Sequence, residues 1–226
     1  MRSKLFFVLF FIVLGLVTLQ IPINTLEGSR VRFTLFDLFV PISGAFLGTG
    51  LGVISVLAMY IVHLVTHGFA GVNASSPLTL VATLRFLPLI VGVWFFAKKE
   101  GRLLVLPALS IIAFNLHPVG RTVWFYSLFW TIPFILWPLR DKFLLARSLS
   151  ATFCAHAVGG AFWIWAFNLP ANVWVSLIPV VILERSIFAL GISSSYILMN
   201  NILGYLSARK LIPKAIEVDK RYLLKF

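Results

Sequence analysis

The stretch from Trp174 to Leu206, WVSLIPVVILERSIFALGISSSYILMNNILGYL, carries charge at only two positions, Glu184 and Arg185. A helix of about 20 apolar residues crosses the hydrocarbon core of a bilayer, and this run exceeds that length. Its neighbour at 147–168 has the same character. The whole chain follows suit: of 226 residues, 60% are hydrophobic and 12% charged, with a mean hydropathy of +1.00. A water-soluble domain cannot cover its core with so little polar surface. The expected fold is therefore all-α, a polytopic transmembrane helical bundle formed by a single integral membrane domain, 1–226. The chain has room for roughly six to eight spans and no separate soluble domain.

Apolar runs set against turn signals place the spans near 5–21, 33–47, 50–67, 78–97, 103–116, 121–139, 147–168 and 174–206. The second and fifth are short enough to be re-entrant. If hairpin 33–67 or hairpin 103–139 only dips into the membrane, two crossings vanish together and all other sidedness is unchanged. Met1 to Pro22 begins as a signal peptide does, yet Gln20-Ile21-Pro22-Ile23 offers no small-residue cleavage site, so a retained first helix is expected.

The net charge of +12 gains meaning from its arrangement. Arg2, Lys4, Lys98, Lys99, Arg102, Arg140, Lys142, Arg147, Arg209, Lys210, Lys214, Lys220, Arg221 and Lys225 fall on one side of the predicted spans. Arg30, Arg32 and Arg121 fall on the other, with Arg85 and Arg185 inside spans. The positive-inside bias then puts both termini in the cytoplasm and the protein in the cell membrane as a multi-pass chain. Nucleic acid is not an expected partner. The basic tail after Arg209 reads as a topology signal that could also touch anionic headgroups.

Polar groups left inside the bilayer are the functional candidates, because each costs free energy there, about 2.5–3.5 kcal/mol for a mid-span charge. Asp37, Arg85, Asn115, His117 and Arg121 fall in the outer half, and His156 and Glu184 lie deeper on the last two spans. A cavity that opens outward and narrows toward His156 and Glu184 would account for all seven as substrate-binding residues. Each also has a structural reading: Glu184 and Arg185 would neutralise each other or neighbours, and His156, among small residues in Cys154-Ala155-His156-Ala157-Val158-Gly159-Gly160, would make an interhelical hydrogen bond. His63 and His67 share a helical face and could hold a divalent ion, but no Glu intervenes as in His-Glu-x-x-His proteases.

Trp124, Trp130, Trp137, Trp163, Trp165 and Trp174 fall mostly near span ends, where an interfacial belt is the ordinary account. Gly44, Gly48 and Gly52 recur four apart across a turn and would let helices approach closely. The lone Cys154 forms no intrachain disulfide. Ser193-Ser194-Ser195 reads as hydroxyls bonded back to helix carbonyls. Phosphate loops, dinucleotide fingerprints and Gly-x-Ser-x-Gly elbows do not occur. The chain is thus expected to be no enzyme and to need no cofactor. An intramembrane metal-dependent enzyme using histidines with Glu184 as base, or a membrane scaffold without a small-molecule site, are the alternatives.

The stretch Phe33-Thr34-Leu35-Phe36-Asp37-Leu38-Phe39-Val40-Pro41-Ile42-Ser43-Gly44-Ala45-Phe46-Leu47-Gly48-Thr49-Gly50-Leu51-Gly52-Val53-Ile54-Ser55-Val56 resembles the second and third helices of S components. These are the substrate-binding membrane subunits of energy-coupling-factor (ECF) transporters. The resemblance implies a subunit that binds a small-molecule substrate such as a vitamin from outside. It would deliver that substrate with a transmembrane coupling protein and cytoplasmic ATPases. Segment 22–32 would correspond to the lid over the substrate. That family has six helices, so 103–139 would be an inserted hairpin.

Overall fold

Most of the described apolar runs fold as helices. The computed structural model describes residues 2–25, 32–67, 86–212, 216 and 218–224. Its helices are α1 (Arg2–Leu19), α2 (Leu35–Leu47), α3 (Thr49–His67), α4 (Phe86–Ala97), α5 (Val105–Leu116), α6 (Pro118–Thr122), α7 (Ile132–Ile135), α8 (Leu144–Phe167) and α9 (Ala171–Ala208). Apart from one small ribbon, the described residues are all-α. Two helices, α8 and α9, are long and apolar enough to cross a membrane. Their ends fall within a few residues of the expected 147–168 and 174–206.

One expectation needs correction. Segment 121–139 is not one helix but a 3-10 turn series at Trp124–Thr131, the short α7, and a further 3-10 turn at Trp137–Leu139. Pro133 and Pro138 explain the break, since proline brings no N–H to the ladder and clashes with the preceding turn. Segment 22–32, the expected lid, begins and ends in strand, and 26–31 lie outside the described residues. Strand β1 (Pro22–Thr25) pairs antiparallel with β2 (Arg32–Thr34), and the Leu35 N–H donates to the Ile21 carbonyl at 2.9 Å. The ribbon leads directly into α2, whose first turn is closed when the Thr34 N–H donates to Asp37 Oδ2 at 2.8 Å. This is the carboxylate half of a capping box.

Helix α4 lies between α2 and α8 and packs extensively on both; α9 packs on α8 and α2. Hydrophobic contacts gather into two clusters. One joins α1 to α4 around Phe11, Phe39, Phe46 and Met59; the other joins the 3-10 segment to α5, α8 and α9 around Phe114, Tyr126, Trp130 and Trp174. The glycine spacing works as expected: a methyl placed on Gly52 would sit 2.5 Å from Gly44 Cα, so α2 and α3 touch backbone to backbone there. Gly48, at φ 82°, makes the turn between them.

One end of the bundle is closed by arginines. Arg140 is 2% exposed. Its Nη1 donates to the Lys98 carbonyl at 2.7 Å and its Nη2 to the carbonyls of Phe95 and Phe96, while the guanidinium lies over Phe95 and Trp137. Arg147 Nε donates to the Phe96 carbonyl at 2.6 Å. Both cations thus serve the last turn of α4, where carbonyls lack helix partners and the helix dipole is negative.

The tail folds back on the same end. Asn200 exchanges two 2.8 Å hydrogen bonds with the backbone of Asp219, and Asn201 does the same with Tyr222 and Leu224 at 2.8 and 2.7 Å. Hydrogen bonds from Arg221 hold the Asp219 carboxyl below the usual carboxylate range, and Arg221 Nη1 donates to the Asp141 carbonyl. The described part of the tail is therefore docked on the bundle, beyond its reading as a topology signal.

Candidate ligand-binding site

A cavity of about 190 Å³ lies among α2, α4, α8, α9 and the 3-10 segment. Small residues on α8 leave the space: Ala151, Ala155 and Gly159 recur four apart on one face of that helix and all line the cavity. Opposite them stand Pro41 of α2 and Gly92 of α4. Pro41 cannot donate the helix hydrogen bond to the Asp37 carbonyl one turn earlier. The volume is below the roughly 300–1,000 Å³ of pockets for drug-sized ligands, so the space suits a compact molecule.

Its polar lining combines Asp37, Thr152, Glu184 and Arg185. Asp37, Glu184 and Arg185 are 8%, 4% and 7% exposed. Arg185 Nη2 lies 3.5 Å from Glu184 Oε2, and its Nη1 donates to Thr152 Oγ1 at 3.3 Å. Its guanidinium also lies 4.5 Å from the centre of the Phe188 ring. An ion pair as long as 3.5 Å between adjacent residues is a loose one, held where charges are strongly felt because water is excluded.

The other wall is aromatic. Gly160 admits Trp130, whose Cζ2 would sit 2.5 Å from a Cβ at that position. Seated there, the Trp130 indole donates to His156 Nδ1, one turn earlier on α8, at 3.1 Å. His156 Nε2 is 3.3 Å from Tyr126 Oη. The rings of Tyr126 and Trp174 meet edge to face with centroids 5.0 Å apart, and Phe114 packs on both. Such edge contacts align one ring's positive rim with another's negative face.

Of the residues expected to bind substrate, Asp37, His156 and Glu184 do converge on this cavity. Arg85 lies outside the described residues, as do the side chains of His63 and His67. Asn115, His117 and Arg121 do not line the cavity; they belong to the 103–139 hairpin, and the first two serve its fold. The Asn115 amide donates to the Ile111 carbonyl at 2.8 Å and to Ser127 Oγ at 3.0 Å, tying the 3-10 segment to α5. His117 Nδ1 accepts from the Val119 N–H, starting α6, and its ring sits 4.9 Å from that of Trp165. Arg121 is exposed.

Trp130 and Trp174, expected in an interfacial belt, are 0% and 2% exposed; Trp174 lines the cavity and Trp130 packs behind it against Gly160 and His156. Trp124 and Trp165 remain exposed at 56% and 57%. The residues around Trp130 in the sequence do not mark it for burial. The usable signal lies on its partner helix, where the spacing of His156 and Gly160 on α8 supplies both an acceptor and the room beside it. Among the described residues no group of three His, Cys, Asp or Glu side chains is placed to hold a metal ion. Compared with known proteins, the chain matches no family model, no curated protein and no solved structure.

Proposed function

We propose that the protein is a multi-pass membrane protein that captures a compact organic molecule inside its helix bundle, as the substrate-binding subunit of an ECF-type importer. The observation that carries this reading is the cavity, which sets buried Asp37, Glu184 and Arg185 beside an aromatic wall. Buried ionisable groups around a space of ligand size are the usual mark of a binding site. Binding fits better than catalysis, because both nitrogens of His156 are engaged by Trp130 and Tyr126, leaving no free imidazole to move a proton. The coupling protein and the ATPases belong to the proposal through the resemblance of 33–56.

The membrane setting is supported by apolar stripes left exposed among the described residues. On α1, Leu5, Leu9, Val13 and Val17 recur four apart and are exposed; Val105, Leu109, Ile112 and Leu116 form a similar stripe on α5, and Leu183, Leu190 and Leu198 stand out on α9. In water, patches of this extent would drive aggregation, whereas lipid tails cover them at no cost. Helix α1, at 18 residues, rises about 27 Å, close to the roughly 30 Å hydrocarbon core.

The sidedness can be tested by cysteine labelling. A cysteine at Asn172 should react with a membrane-impermeant thiol reagent in intact cells, and one at Lys142 should react only after permeabilisation. Native Cys154 is buried and should give little background. Reversed labelling would place the arginine-closed end outside and remove the topology.

Ligand capture is tested by identifying small molecules that co-purify after mild extraction and adding them back. A ligand bound only by the native state raises the unfolding temperature by an amount that grows with its concentration relative to its dissociation constant. Glu184→Gln is expected to weaken capture by about 1–2 kcal/mol, the cost of a lost or unmatched buried hydrogen bond. If no cell-derived molecule stabilises the wild type, the importer reading fails.

A further inference from the structure

Resting on the reading of the chain as a membrane protein, we infer that the C-terminal end of α9 holds an anionic phospholipid. Its acyl chains lie along the helix and its phosphate meets Arg209 and Lys210. The inference starts from one face of α9. Leu198, Ile202, Tyr205 and Arg209 follow one another at steps of four, three and four residues, so they share a face, and all four are exposed. Apolar side chains thus give way to a tyrosine and then to an arginine, the order in which a leaflet passes from acyl chain to headgroup. The Arg209 guanidinium lies over the Tyr205 ring, 4.4 Å from its centre. From Leu198 to Arg209 the helix rises about 16 Å, close to half of the roughly 30 Å hydrocarbon core.

The chain turns away immediately after this face. Lys210 adopts the left-handed conformation at φ 58°. Its N–H donates to the Ser207 carbonyl and that of Leu211 to the Leu206 carbonyl, both at 2.9 Å. Paired hydrogen bonds of this kind close a helix C-terminus. The turn leaves Lys210 and Leu211 exposed next to Arg209 in the chain, a cation and a further apolar group.

Charge selects the headgroup. The described carboxylates at this end of the bundle are already paired: Glu100 with Lys98 and Arg102, Asp141 with Lys99, and Asp219 with Arg221. Arg140 and Arg147 are engaged by the carbonyls of α4. Arg209 and Lys210 form no ion pair with any of these carboxylates. A phosphodiester supplies an anion to both, and each cation near a membrane surface adds to the attraction. An acidic peptide would also meet the charges, but it would leave the apolar face uncovered, so the combination favours a lipid.

The test uses phosphatidylglycerol and phosphatidylcholine carrying the same fluorophore on one acyl chain, each titrated with the full chain in neutral detergent micelles and followed by fluorescence anisotropy. Wild-type protein is expected to bind phosphatidylglycerol about fivefold more tightly, the worth of roughly one cation at a lipid surface. Arg209→Gln combined with Lys210→Asn should abolish that preference and leave phosphatidylcholine binding unchanged; asparagine accepts the left-handed turn, so the helix end is kept. Lys220→Gln, which removes an exposed cation from the docked tail, should retain the preference. Equal binding of both lipids to the wild type, or an equal loss in Lys220→Gln, would overturn the site, the latter by showing that charge acts diffusely. Displacement of phosphatidylglycerol by excess inorganic phosphate would give the cations to a free anion, and binding of a poly-glutamate peptide without lipid preference would give them to an acidic protein; either result overturns the lipid site. Protein that stays in the aqueous phase when detergent is removed in the presence of lipid would overturn the membrane reading itself.

Discussion

Replacing Arg140 with methionine is expected to lower the unfolding free energy by about 3–5 kcal/mol, measured as a reversible transition in mixed micelles. The side chain is 2% exposed and reaches the carbonyls of Phe95, Phe96 and Lys98. Methionine keeps much of the apolar contact with Phe95 and Trp137 but cannot donate a hydrogen bond. Three carbonyls at the C-terminus of α4 would then lose a charged donor, and hydrogen bonds to charged groups contribute about 1.5–3 kcal/mol each before any relaxation. Arg147→Lys is the graded comparison. It keeps a cation near the same helix end but loses the fork that spans Phe96 and Ala97, so a smaller loss of about 1–2 kcal/mol is expected. Equal, negligible effects from both substitutions would mean that water replaces the guanidinium groups freely and that this end is not closed by them.

These arginines show how a chain-wide pattern can conceal a local role. In the sequence, Arg140 and Arg147 are two of many cations on one side of the predicted spans, and the charge bias accounts for them fully. Nothing in a one-dimensional pattern says that the α4 carbonyls will arrive beside them, because that contact joins positions more than forty residues apart. The long helices were legible for the opposite reason: α8 and α9 are continuous apolar runs whose length alone decides their class. Segment 121–139 misled because its composition is as apolar as theirs, while Pro133 and Pro138 and the crowded aromatics between Trp124 and Trp130 give it 3-10 turns instead.

The candidate site was legible in its charges and not in its aromatics. Asp37 and Glu184 stand out because a carboxylate in an apolar run needs an explanation, and both reach the cavity. His156 stands out through its small neighbours, and the structure gives that pattern its meaning: Gly160 makes room for the indole that fixes the imidazole. Tryptophans, by contrast, are common at membrane interfaces, so Trp130 and Trp174 carried no sign of burial until packing was known. Asn115 and His117 are polar residues in apolar surroundings just as Asp37 is, yet they satisfy local backbone and side-chain groups. Polarity in an apolar run identifies a residue that must have a partner and does not say whether the partner is a ligand.

Glycine spacing leads to the sharpest contrast in the α2–α3 pair. Gly50 and Gly52 both lie near the start of α3, two residues apart, and only Gly52 shares the four-residue spacing with Gly44 and Gly48. Among the described residues, a Cβ on Gly50 would meet nothing within 4 Å, whereas one on Gly52 would lie 2.5 Å from Gly44 Cα and 2.7 Å from Gly44 N. Backbone atoms cannot rotate out of the way as a side chain can, so any substituent at Gly52 must push α2 and α3 apart. Gly52→Val is expected to cost about 3 kcal/mol or more. Gly50→Ala should be neutral or stabilise by about 0.5–1 kcal/mol, because alanine is the better helix former where space is open. The displacement would also reach the cavity, since α2 carries Asp37 and Pro41 on its wall. Gly52→Val protein that still folds should therefore bind the co-purifying molecule more weakly, while Gly50→Ala protein binds it as the wild type does. Equal stabilities for the two variants would show that the helices are not in backbone contact at Gly44, and the coupling between that crossing and the cavity would fall with it.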